Sequence, residues 1–555
     1  MITLYCFFRL NLSLFSMKCY LLTLFFAILL PMLVRAQIMP AEGSTLNYRL
    51  VGLELPPAPH KASYKIEIAA CNCHTEDSFK KNIIERLTRK KNKIIVEVPS
   101  FGAPYTWRYS YGGRRNLYQS NLYHFSTTAD MVVDTNNTRL RIMQPARQYK
   151  DDYVFLDGNE ALYDMNGKPV WYLPNLHGLG YIDNLVTDLK LSPHNTITYL
   201  LEPPPYNADK NVYKACEVNY DGTVLWKAPD NGAVSGDSIE YYHHQFSRLA
   251  NGHYMVLGSE FKWQYPYADS SDMNANAGKK GYARVQFGTL IEYDEKGNVV
   301  WSWKSSDYFL EHDTSFITPP KRFCPVFDYV FMHCYDFTRP EASRMQQDVH
   351  ENAFFFDEKN QVIYVSFKNI SRVLKLKYPE GTVLNSYGPA PQPGGKETGD
   401  TLFCYQHGCG ISEDGYLYLF NNNLCGTTPA KVEIMKEPDD NKGRLKKIWE
   451  YQCTVEDGYP QKFFSGGDVM QLPGGAMYIS MGSDYSKVLI VSHDKKVLWS
   501  AIPERWNAAL KKWVILHQAR SSIITRQQLE ALIWNSEAKK LPENNGKENN
   551  YVKKK

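Results

Sequence analysis

Three histidines recur at the same distance from a turn. His244, His350 and His407 each lie seven residues before an Asn or Asp of a turn, and each stands at the start of an apolar strand. A histidine ring can ligate a metal ion, transfer protons or act as a nucleophile. One such histidine would most simply cap a strand end, whereas three at one register indicate a shared site. His243 is out of register and is predicted to support His244 or to pack.

A metal centre is one alternative for this site. Its ligands would be the three in-register histidines, with Asp348 and Glu351 beside His350 as outer partners of the ligands. A second candidate, the pair Cys71 and Cys73, resembles part of a metal knuckle, but no second pair follows at zinc spacing. The residues alone therefore leave a metal open at the histidines and disfavour one at the cysteines.

A repeated phrase predicts the elements that position these histidines. It consists of an apolar strand, a turn with Asp, Asn or Gly, and a short apolar run that usually contains Trp. Asp-Gly and Asn-Gly provide the positive φ of tight hairpins, and the Trp ring can be buried between sheets. The copies are LYDMNGKPVW (162–171), VNYDGTVLW (218–226), IEYDEKGNVVW (291–301), LKYPEGTVLNSYG (376–388), GRLKKIWEY (443–451) and IVSHDKKVLW (490–499). Six copies at uneven intervals predict an all-β chain built around a six-bladed β-propeller.

A second phrase lies upstream of most copies and contains the histidines. It reads as the two inner strands of a blade, as in HQFSRLANGHYMVLG and HGCGISEDGYLYLF. The first of these strands would line the central channel of the propeller. Because equivalent positions of different blades form a ring around the axis, His244, His350 and His407 should converge on one mouth of that channel.

The chain is predicted to divide into four segments. These are a secretory signal peptide (1–36), an N-terminal β-sandwich-like domain (37–147), the propeller (148–538) and a disordered Lys-rich tail (539–555). Lys18 precedes an apolar run that ends at Ala36, which is typical of a signal peptide. The alternative is an uncleaved membrane anchor, which the short run and Pro31 disfavour. A linker is expected near residues 140–152.

Charge and cysteine usage narrow the function classes. The net charge of +4 gives no general electrostatic argument for nucleic-acid binding. Export permits disulfides, and nine cysteines remain after residue 36, so at least one is free or pairs between chains. Cys404 is the candidate for a bridge that fixes the loop before His407, with Cys409 or Cys425 as its partner. Cys324 and Cys334 bracket another loop.

Three motifs resemble the signatures of a known family. DVHENAFFFDEKNQVIYVSFKNISRVLKL and YQHGCGISEDGYLYLFNNN look like the central motifs of the bacterial arylsulfate sulfotransferases, and HHQFSRLANGHYMVLG resembles that family's earlier histidine motif. The resemblance covers roughly residues 150–535. It implies a six-bladed propeller with an N-terminal β-sandwich domain, in a periplasmic or secreted protein.

The resemblance also implies roles for individual residues. His407 matches the histidine that takes the sulfuryl group as a sulfohistidine, and His244 and His350 match two further active-site histidines. Asn352 matches the Asn of a His-x-Asn motif and would hold sulfuryl oxygens. The implied reaction is a ping-pong transfer from an aryl sulfate donor to a phenolic acceptor, with no cofactor, no metal and no nucleotide sulfate donor. No P-loop is present in the sequence, in agreement with that reaction.

Two positions depart from the family pattern. Lys368 stands where the family has arginine, so a compact charge replaces a planar fork, and Gln245 replaces the usual acidic residue. Arg520, near the end of the repeat region, is a further candidate for substrate binding, with packing or solvent exposure as the alternative. Because of these departures, an alternative function remains: a propeller that binds a ligand without turning it over. The protein could also form a homodimer.

Overall fold

Strands make up most of the ordered chain. The computed structural model describes residues 38–58, 62–112, 116–129, 136–174, 185–202, 214–264, 283–309, 322–323, 335–336, 347–388, 401–425, 428–439, 443–454, 466–482 and 487–535. Within these ranges no helix is both long and apolar enough to span a bilayer. The predicted signal peptide, the predicted tail and the Cys324–Cys334 loop lie outside these described ranges. The chain divides into two compact units at Ala129 and Asp130.

The first unit contains two β-sheets and one short helix. Its elements are β1 (Ser44–Leu46), β2 (Leu50–Glu54), β3 (Tyr64–Ala69), α1 (Glu76–Lys81), β4 (Ile83–Arg89), β5 (Lys93–Glu97), β6 (Pro104–Tyr111), β7 (Tyr118–Gln119) and β8 (Tyr123–Thr127). The larger sheet has the order β1-β8-β6-β3-β4, with β7 against β6, and β2 pairs with β5.

The two sheets of this unit share one apolar core, and burial alternates along the strands that contribute to it. In β3, Tyr64, Ile66 and Ile68 are buried, and the residues between them are more exposed. Trp107 of β6 and Val51 of β2 belong to the same apolar cluster. The period of two is that of a strand with one face toward the core, as the sequence predicts for this region.

The first unit contains one short helix, α1, which occupies only part of a polar and basic segment. Thr75 caps its first turn by accepting a hydrogen bond from the backbone N–H of Ser78, and the helix ends at Asn82. The isoleucines that follow belong to β4, where β-branched side chains fit the pleated surface.

The second unit contains six sheets, each with four antiparallel core strands. The first sheet comprises β10 (Tyr153–Leu156), β11 (Ala161–Asp164), β12 (Pro169–Tyr172) and β37 (Ser521–Ile524); the second comprises β13 (Leu185–Leu191), β14 (Ile197–Glu202), β15 (Lys214–Val218) and β16 (Val224–Lys227); the third comprises β17 (Phe246–Arg248), β18 (Tyr254–Gln264), β19 (Ala283–Tyr293) and β20 (Val299–Lys304). The fourth comprises β24 (Glu351–Asp357), β25 (Val362–Phe367), β26 (Arg372–Lys377) and β27 (Thr382–Tyr387); the fifth comprises β28 (His407–Ile411), β29 (Leu417–Asn421), β30 (Lys431–Lys436) and β31 (Lys446–Gln452); the sixth comprises β32 (Asp468–Gln471), β33 (Met477–Ser480), β34 (Val488–Val491) and β35 (Val497–Asn507).

Short additional elements extend these sheets. They are β9 (Thr138–Gln144) and β36 (Lys512–Ile515) on β35, β23 (Gln347–Asp348) on β19, the pair β21 (Arg322–Phe323) and β22 (Tyr335–Asp336), a 3-10 turn (Ser305–Asp307) and α2 (Arg526–Trp534). β9 lies where the sequence predicts a linker. Its pairing with β35 places this segment in the second unit, because Arg139 and Arg141 both bind the buried Glu504 carboxylate.

The first sheet draws its strands from both ends of the second unit. β37 pairs with β10 over four residue pairs, from Tyr153–Ile524 to Leu156–Ser521. The last strand among the described residues therefore lies beside the first strand of the first sheet, and this pairing joins residues more than three hundred and sixty positions apart.

The recurrent tryptophans lie on the outermost core strand of their sheets and connect one sheet to another. An indole N–H of one sheet donates to a turn carbonyl of the next in four places: Trp171 to Tyr220, Trp301 to Pro379, Trp449 to His493, and Trp499 to Met165. The last of these connects the sixth sheet to the first. Each indole thus satisfies its only donor, and the rings of Trp171, Trp449 and Trp499 are buried as well.

A disulfide joins Cys404 to Cys425, so the second of the two predicted partners is the correct one. Cys409 is a buried free thiol, since its strand β28 places it in the apolar core between the fourth and fifth sheets. Cys71 and Cys73 form a disulfide with each other. That bond occupies both thiols of the CNC segment, which agrees with the prediction against a metal there.

Replacing both Cys404 and Cys425 by serine is expected to lower the free energy of unfolding by ~3 kcal/mol, because the bridge closes a loop of 21 residues. Guanidinium unfolding of the oxidised protein and the double variant measures this difference. Cys216→Ala, at a buried thiol that forms no disulfide, is the control. An unfolding midpoint shared by the double variant and the parent would refute the expectation.

Candidate active site

The structure brings the three in-register histidines together. His244 lies just before β17, His350 directly before β24, and His407 is the first residue of β28. The ring centroids of His244 and His350 are 4.9 Å apart, and those of His350 and His407 are 6.4 Å apart. Three successive sheets therefore present one histidine each to a common site, as the register predicts.

Two of these positions also share an unusual backbone. His244 and His350 have φ angles of 59° and 57°, in the left-handed region. His407 instead is followed by Gly408, which has a φ of 49° and lies at a register shift between β28 and β29. A side chain at Gly408 would collide with the Asp468 carboxylate. Residues in sparsely populated backbone regions often mark functional sites.

His407 is a buried, neutral imidazole. It is only 2% exposed, and its Nδ1 lies 2.7 Å from Oδ1 of Asn422. Burial lowers the pKa of His407 well below its usual value, and the charge of Lys368 lowers it further, against the opposing effect of the hydrogen bond to Oδ1 of Asn422. Within the described part of the chain, no hydrogen bond is made to its Nε2. The ring can therefore present an unprotonated Nε2 near neutral pH.

His244 is oriented by its neighbour His243. Nε2 of His243 lies 3.1 Å from the carbonyl of Gly258, so this nitrogen carries the proton and donates. Nδ1 of His243 must then accept the hydrogen bond from Nδ1 of His244, 2.8 Å away. Burial lowers the pKa of His244 well below its usual value, with His350 and His243 as further causes. Of support and packing, the two predicted roles of His243, the contact with His244 favours support.

Lys368 lies in the turn after β25 and is tied to the histidines through the backbone. Its N–H donates to the carbonyl of His350 at 2.9 Å. Gln406, directly before His407, donates from Nε2 to the carbonyls of Phe367 and Arg372, which flank that turn. Gln406 is completely buried. The turn with Lys368 and the strand with His407 are therefore fixed to one another.

Asn352 lies in the fourth sheet and Arg520 lies beside the first sheet, and the two residues meet at the same site. Asn352 is buried and donates from Nδ2 to the carbonyl of Gln406 at 2.7 Å. Arg520, next to β37, donates to the carbonyl of Asn352 and lies 3.3 Å from the Asp468 carboxylate. Of the two alternatives for Arg520, solvent exposure is wrong, because its side chain is only 6% exposed. Both residues brace the segment that carries His407.

Gln245, at the second departure from the family pattern, connects two sheets. Its Nε2 donates to the carbonyl of Phe354 at 2.8 Å, and its Oε1 accepts from the N–H of the same residue at 2.9 Å. An amide can make both contacts, whereas a carboxylate can only accept. Gln245 therefore holds the sheet of His244 against the sheet of His350.

Metal-ligand geometry is not found at this site. Among the residues that the structure describes, no three His, Cys, Asp or Glu side chains are arranged to hold a metal ion. The Asp348 side chain lies outside the described part of the chain, and the carboxylate of Glu351 packs against Gly288. The three histidines are grouped, but their described arrangement does not fit a metal.

Glu160→Gln is expected to stabilise the protein by ~2 kcal/mol above neutral pH. Burial, then the charge of Asp157, raises the pKa of Glu160 to about 8, and its Oε2 has no hydrogen-bond partner among the described residues. Its unfolded pKa is ~4.3, so the stability present at low pH is lost as the pH rises toward the folded value. Glutamine does not ionise and removes that loss.

Urea unfolding at ~pH 5 and ~pH 9 tests this, with the difference between variant and parent growing at the higher pH. Glu295→Gln, at an exposed carboxylate of a hairpin turn, is the control. A difference that is the same at both pH values would contradict the assigned cause.

Some residues of the site were not among the predicted ones. Asn422 and Gln406 had a signal in the sequence, since Asn422 lies in the run Asn421–Asn423 after a strand and Gln406 precedes a candidate histidine. Nothing in the sequence indicates Asp468, which reaches Arg520 from the start of the sixth sheet.

Taken together, these features define a class of protein. The second unit is an almost purely antiparallel β structure whose sheet ends supply a buried, neutral histidine, further histidines and two cationic side chains. Such a site suits an enzyme that binds an anionic group.

The chain belongs to the arylsulfotransferase (ASST) family, which it matches over residues 142–466. This confirms the resemblance, and membership makes the protein an aryl-sulfate sulfotransferase acting on small molecules. All three histidines, Lys368 and Asn352 fall within the matched region, and Arg520 follows it.

Similarity to other known proteins is weak. No protein of curated function matches the chain. Among solved structures, the dihydro-haem d1 dehydrogenase NirN is 10% identical, with a TM-score of 0.29 over 70% of this chain and 78% of that one. An auxiliary nutrient binding protein from Bacteroides thetaiotaomicron is 10% identical, with a TM-score of 0.28 over 87% and 89%. A luciferin-regenerating enzyme is 10% identical, with a TM-score of 0.29 over 69% and 97%.

Proposed function

We propose that the protein is an exported sulfotransferase that moves a sulfuryl group from an aryl sulfate ester to a phenolic acceptor through a sulfohistidine at His407. The observation that carries this proposal is the setting of His407. Its ring is buried, its Nδ1 is hydrogen-bonded to Asn422, and its pKa is held low by burial. A neutral imidazole of this kind has a lone pair on Nε2 with which to attack sulfur.

In the first half of the reaction, Nε2 of His407 attacks the sulfur of the aryl sulfate. The N–S bond forms as the bond between sulfur and the aryl oxygen breaks, and the electron pair of that bond leaves with the phenolate. A phenol has a pKa of ~10, so protonation of the departing oxygen assists an unactivated substrate. His244, whose ring centroid lies 4.9 Å from that of His350, is the candidate to pass this proton from solvent to the oxygen. Its lowered pKa leaves the ring neutral at rest and makes the protonated form a strong donor.

In the second half, the phenolic acceptor attacks the sulfur. Its proton passes to His244, the new S–O bond forms, and the N–S electron pair returns to Nε2 of His407. The lowered pKa of His244 keeps that ring neutral and ready to accept this proton. The proton then returns to solvent, so the proton taken up in the first half is released in the second and the cycle balances.

Cationic side chains would stabilise the sulfuryl oxygens while their charge is redistributed. Lys368 and Arg520 both lower the pKa of His407 electrostatically, after the larger effect of burial, so both charges act at this ring. A positive charge placed before the reaction begins stabilises an anionic transition state without reorganisation. His350, between the other two histidines, is positioned to donate to the same oxygens.

We further propose that the six sheets form a closed six-bladed propeller. The supporting observations are the pairing of β37 with β10 and the bond from the Trp499 indole to the carbonyl of Met165, which join the last sheet to the first. Export to a periplasmic or extracellular space is supported by the two disulfides, because such bonds persist in oxidising compartments.

Rapid mixing with 4-nitrophenyl sulfate tests the proposed reaction. Without acceptor, nitrophenol should be released in a burst of about one equivalent per chain, and the intact protein should gain the mass of one sulfuryl group. A phenol added afterwards should remove that mass and become the sulfate ester. Nitrophenol release with neither a burst nor a mass gain would refute the sulfohistidine.

Lys368→Met is expected to lower kcat/KM for 4-nitrophenyl sulfate by ~10²-fold, because one preorganised cation is lost from the sulfuryl site. Lys368→Arg should stay within ~10-fold of the parent, since it keeps the charge and adds a planar fork. Lys359→Met, at an exposed position in the turn between β24 and β25 of the same sheet, is the control. Equal rates for Lys368→Met and the parent would remove Lys368 from the site.

A further inference from the structure

Asn422 binds His407 through the ring nitrogen that the proposed reaction does not use. Its Oδ1 lies 2.7 Å from Nδ1 of His407, and its Nδ2 donates to the carbonyl of Gly466 at 3.1 Å. Asn422 is completely buried and directly follows β29, which pairs with the strand of His407. The residue therefore spans from the fifth sheet to the segment that begins the sixth.

The contact with Gly466 fixes the orientation of the amide. A carbonyl oxygen can only accept, so the group that faces Gly466 must be the NH2 of Asn422. The opposite orientation would place the amide oxygen of Asn422 against the carbonyl oxygen of Gly466 with no proton between them. Oδ1 must then face His407, and Nδ1 of His407 must carry a proton to donate to it.

We infer that Asn422 is a positioning residue that holds His407 in the Nδ1–H tautomer and so places the reactive lone pair on Nε2. The inference rests on the proposed function for its use in sulfuryl transfer, although the tautomer exists in the resting protein and can be observed without any reaction. The sequence motif indicates only that an Asn-containing turn follows the strand.

An amide suits this position better than a carboxylate. In the transfer, Nδ1–H stays with His407 throughout; the ring becomes cationic as the N–S bond forms at Nε2, and the Oδ1 dipole of Asn422 stabilises that charge. A carboxylate would hold the same tautomer but would favour the protonated ring much more strongly. A protonated ring has no lone pair, and Lys368, Arg520 and His350 already surround it with groups that oppose protonation.

The tautomer can be read directly by nitrogen NMR of full-length protein labelled at the histidine ring nitrogens. Subtracting the spectrum of His407→Gln assigns the signals of His407. The parent protein should show a protonated Nδ1 and an unprotonated Nε2. Asn422→Leu removes the acceptor at similar volume, so the Nε2–H form should become populated, and the nitrophenol burst should slow by ~10²-fold or more.

Two further variants separate orientation from structural damage. Asn422→Asp supplies an acceptor again, so it should keep the Nδ1–H form and recover a burst within ~10-fold of the parent at slightly alkaline pH. Asn421→Leu, one residue earlier, removes a buried amide that binds the N–H of Cys404. It should lower the thermal midpoint about as much as Asn422→Leu and leave the signals of His407 unchanged.

The possible outcomes are distinct. An Asn422→Leu protein that retains a protonated Nδ1 and an unchanged burst would overturn the inference, as would an equal change of the His407 signals in Asn421→Leu. A parent protein without a burst, whose Nδ1–H signal is nevertheless lost in Asn422→Leu, would refute the sulfohistidine while supporting the positioning role.

Discussion

Alanine at His407 is expected to lower aryl-sulfate turnover by ~10⁴-fold or more, because the group that forms the proposed covalent intermediate is lost. The residual reaction would come only from binding and electrostatic stabilisation. The fold should survive, since His407 lies at the start of β28 and makes one side-chain hydrogen bond, to Asn422. The readout is nitrophenol release with and without a phenol, beside circular dichroism and the thermal midpoint.

Added imidazole distinguishes a nucleophile from a structural histidine. The cavity left by His407→Ala should admit imidazole, which can take the sulfuryl group in place of the lost ring, and nitrophenol release should rise with imidazole concentration. His493→Ala, at an exposed histidine in the turn between β34 and β35, is the matched control and should behave like the parent. Turnover by His407→Ala within a few-fold of the parent would exclude the sulfohistidine.

The grouping of the histidines could be predicted from the sequence because it depends on a local rule. His244 and His407 lie five residues before Leu249 and Ser412, whose backbone N–H groups close the hairpins at His253 and Tyr416. Strand length and turn position follow from local residue types, so a shared register along the chain becomes a shared position in the fold.

The residues that orient those rings could not be predicted in the same way. His243 binds Gly258 of the neighbouring strand, and Gln406 binds carbonyls of the fourth sheet from the start of the fifth. Asp468 approaches Arg520 across the site. Each contact depends on how two sheets face each other, and local spacing does not contain that information.

Contacts between distant parts of the chain also limited the prediction of strands and of the disulfide. β9 has no copy of the repeated phrase, and it becomes a strand because β35 continues past its sheet partners and offers an edge. The partner of Cys404 was also ambiguous in sequence. Cys425 follows the strand that pairs with β28, which brings the two Cα atoms to 6.3 Å, whereas Cys409 belongs to the core.

Arg520→Met is expected to lower the free energy of unfolding by ~3 kcal/mol and to reduce turnover strongly. The methionine fills similar space but leaves the Asp468 carboxylate without its cation and the carbonyl of Asn352 without its donor. Asn352 in turn binds the carbonyl of Gln406, directly before His407. Loss of the guanidinium should therefore loosen the segment that carries the proposed nucleophile as well as remove a charge from the sulfuryl site.

The pH dependence of the lost stability shows whether the unpaired Asp468 carboxylate causes it. Burial already raises the pKa of Asp468, against the opposing charge of Arg520, so removing Arg520 raises it further. A folded pKa above the unfolded value of ~3.9 means that stability is present at low pH and is lost as the pH rises through the folded pKa. Arg520→Met should consequently be closest to the parent under mildly acidic conditions and least stable at alkaline pH.

Asp468→Asn in the Arg520→Met background is the control that separates the two effects. The amide has nearly the shape of the carboxylate and cannot ionise, so the double variant should regain much of the stability at alkaline pH and lose the pH dependence. Turnover should stay low, because the charge at His407 and the bond to Asn352 are still missing. A double variant that regains turnover together with stability would show that Arg520 supports the fold alone and takes no part in the site.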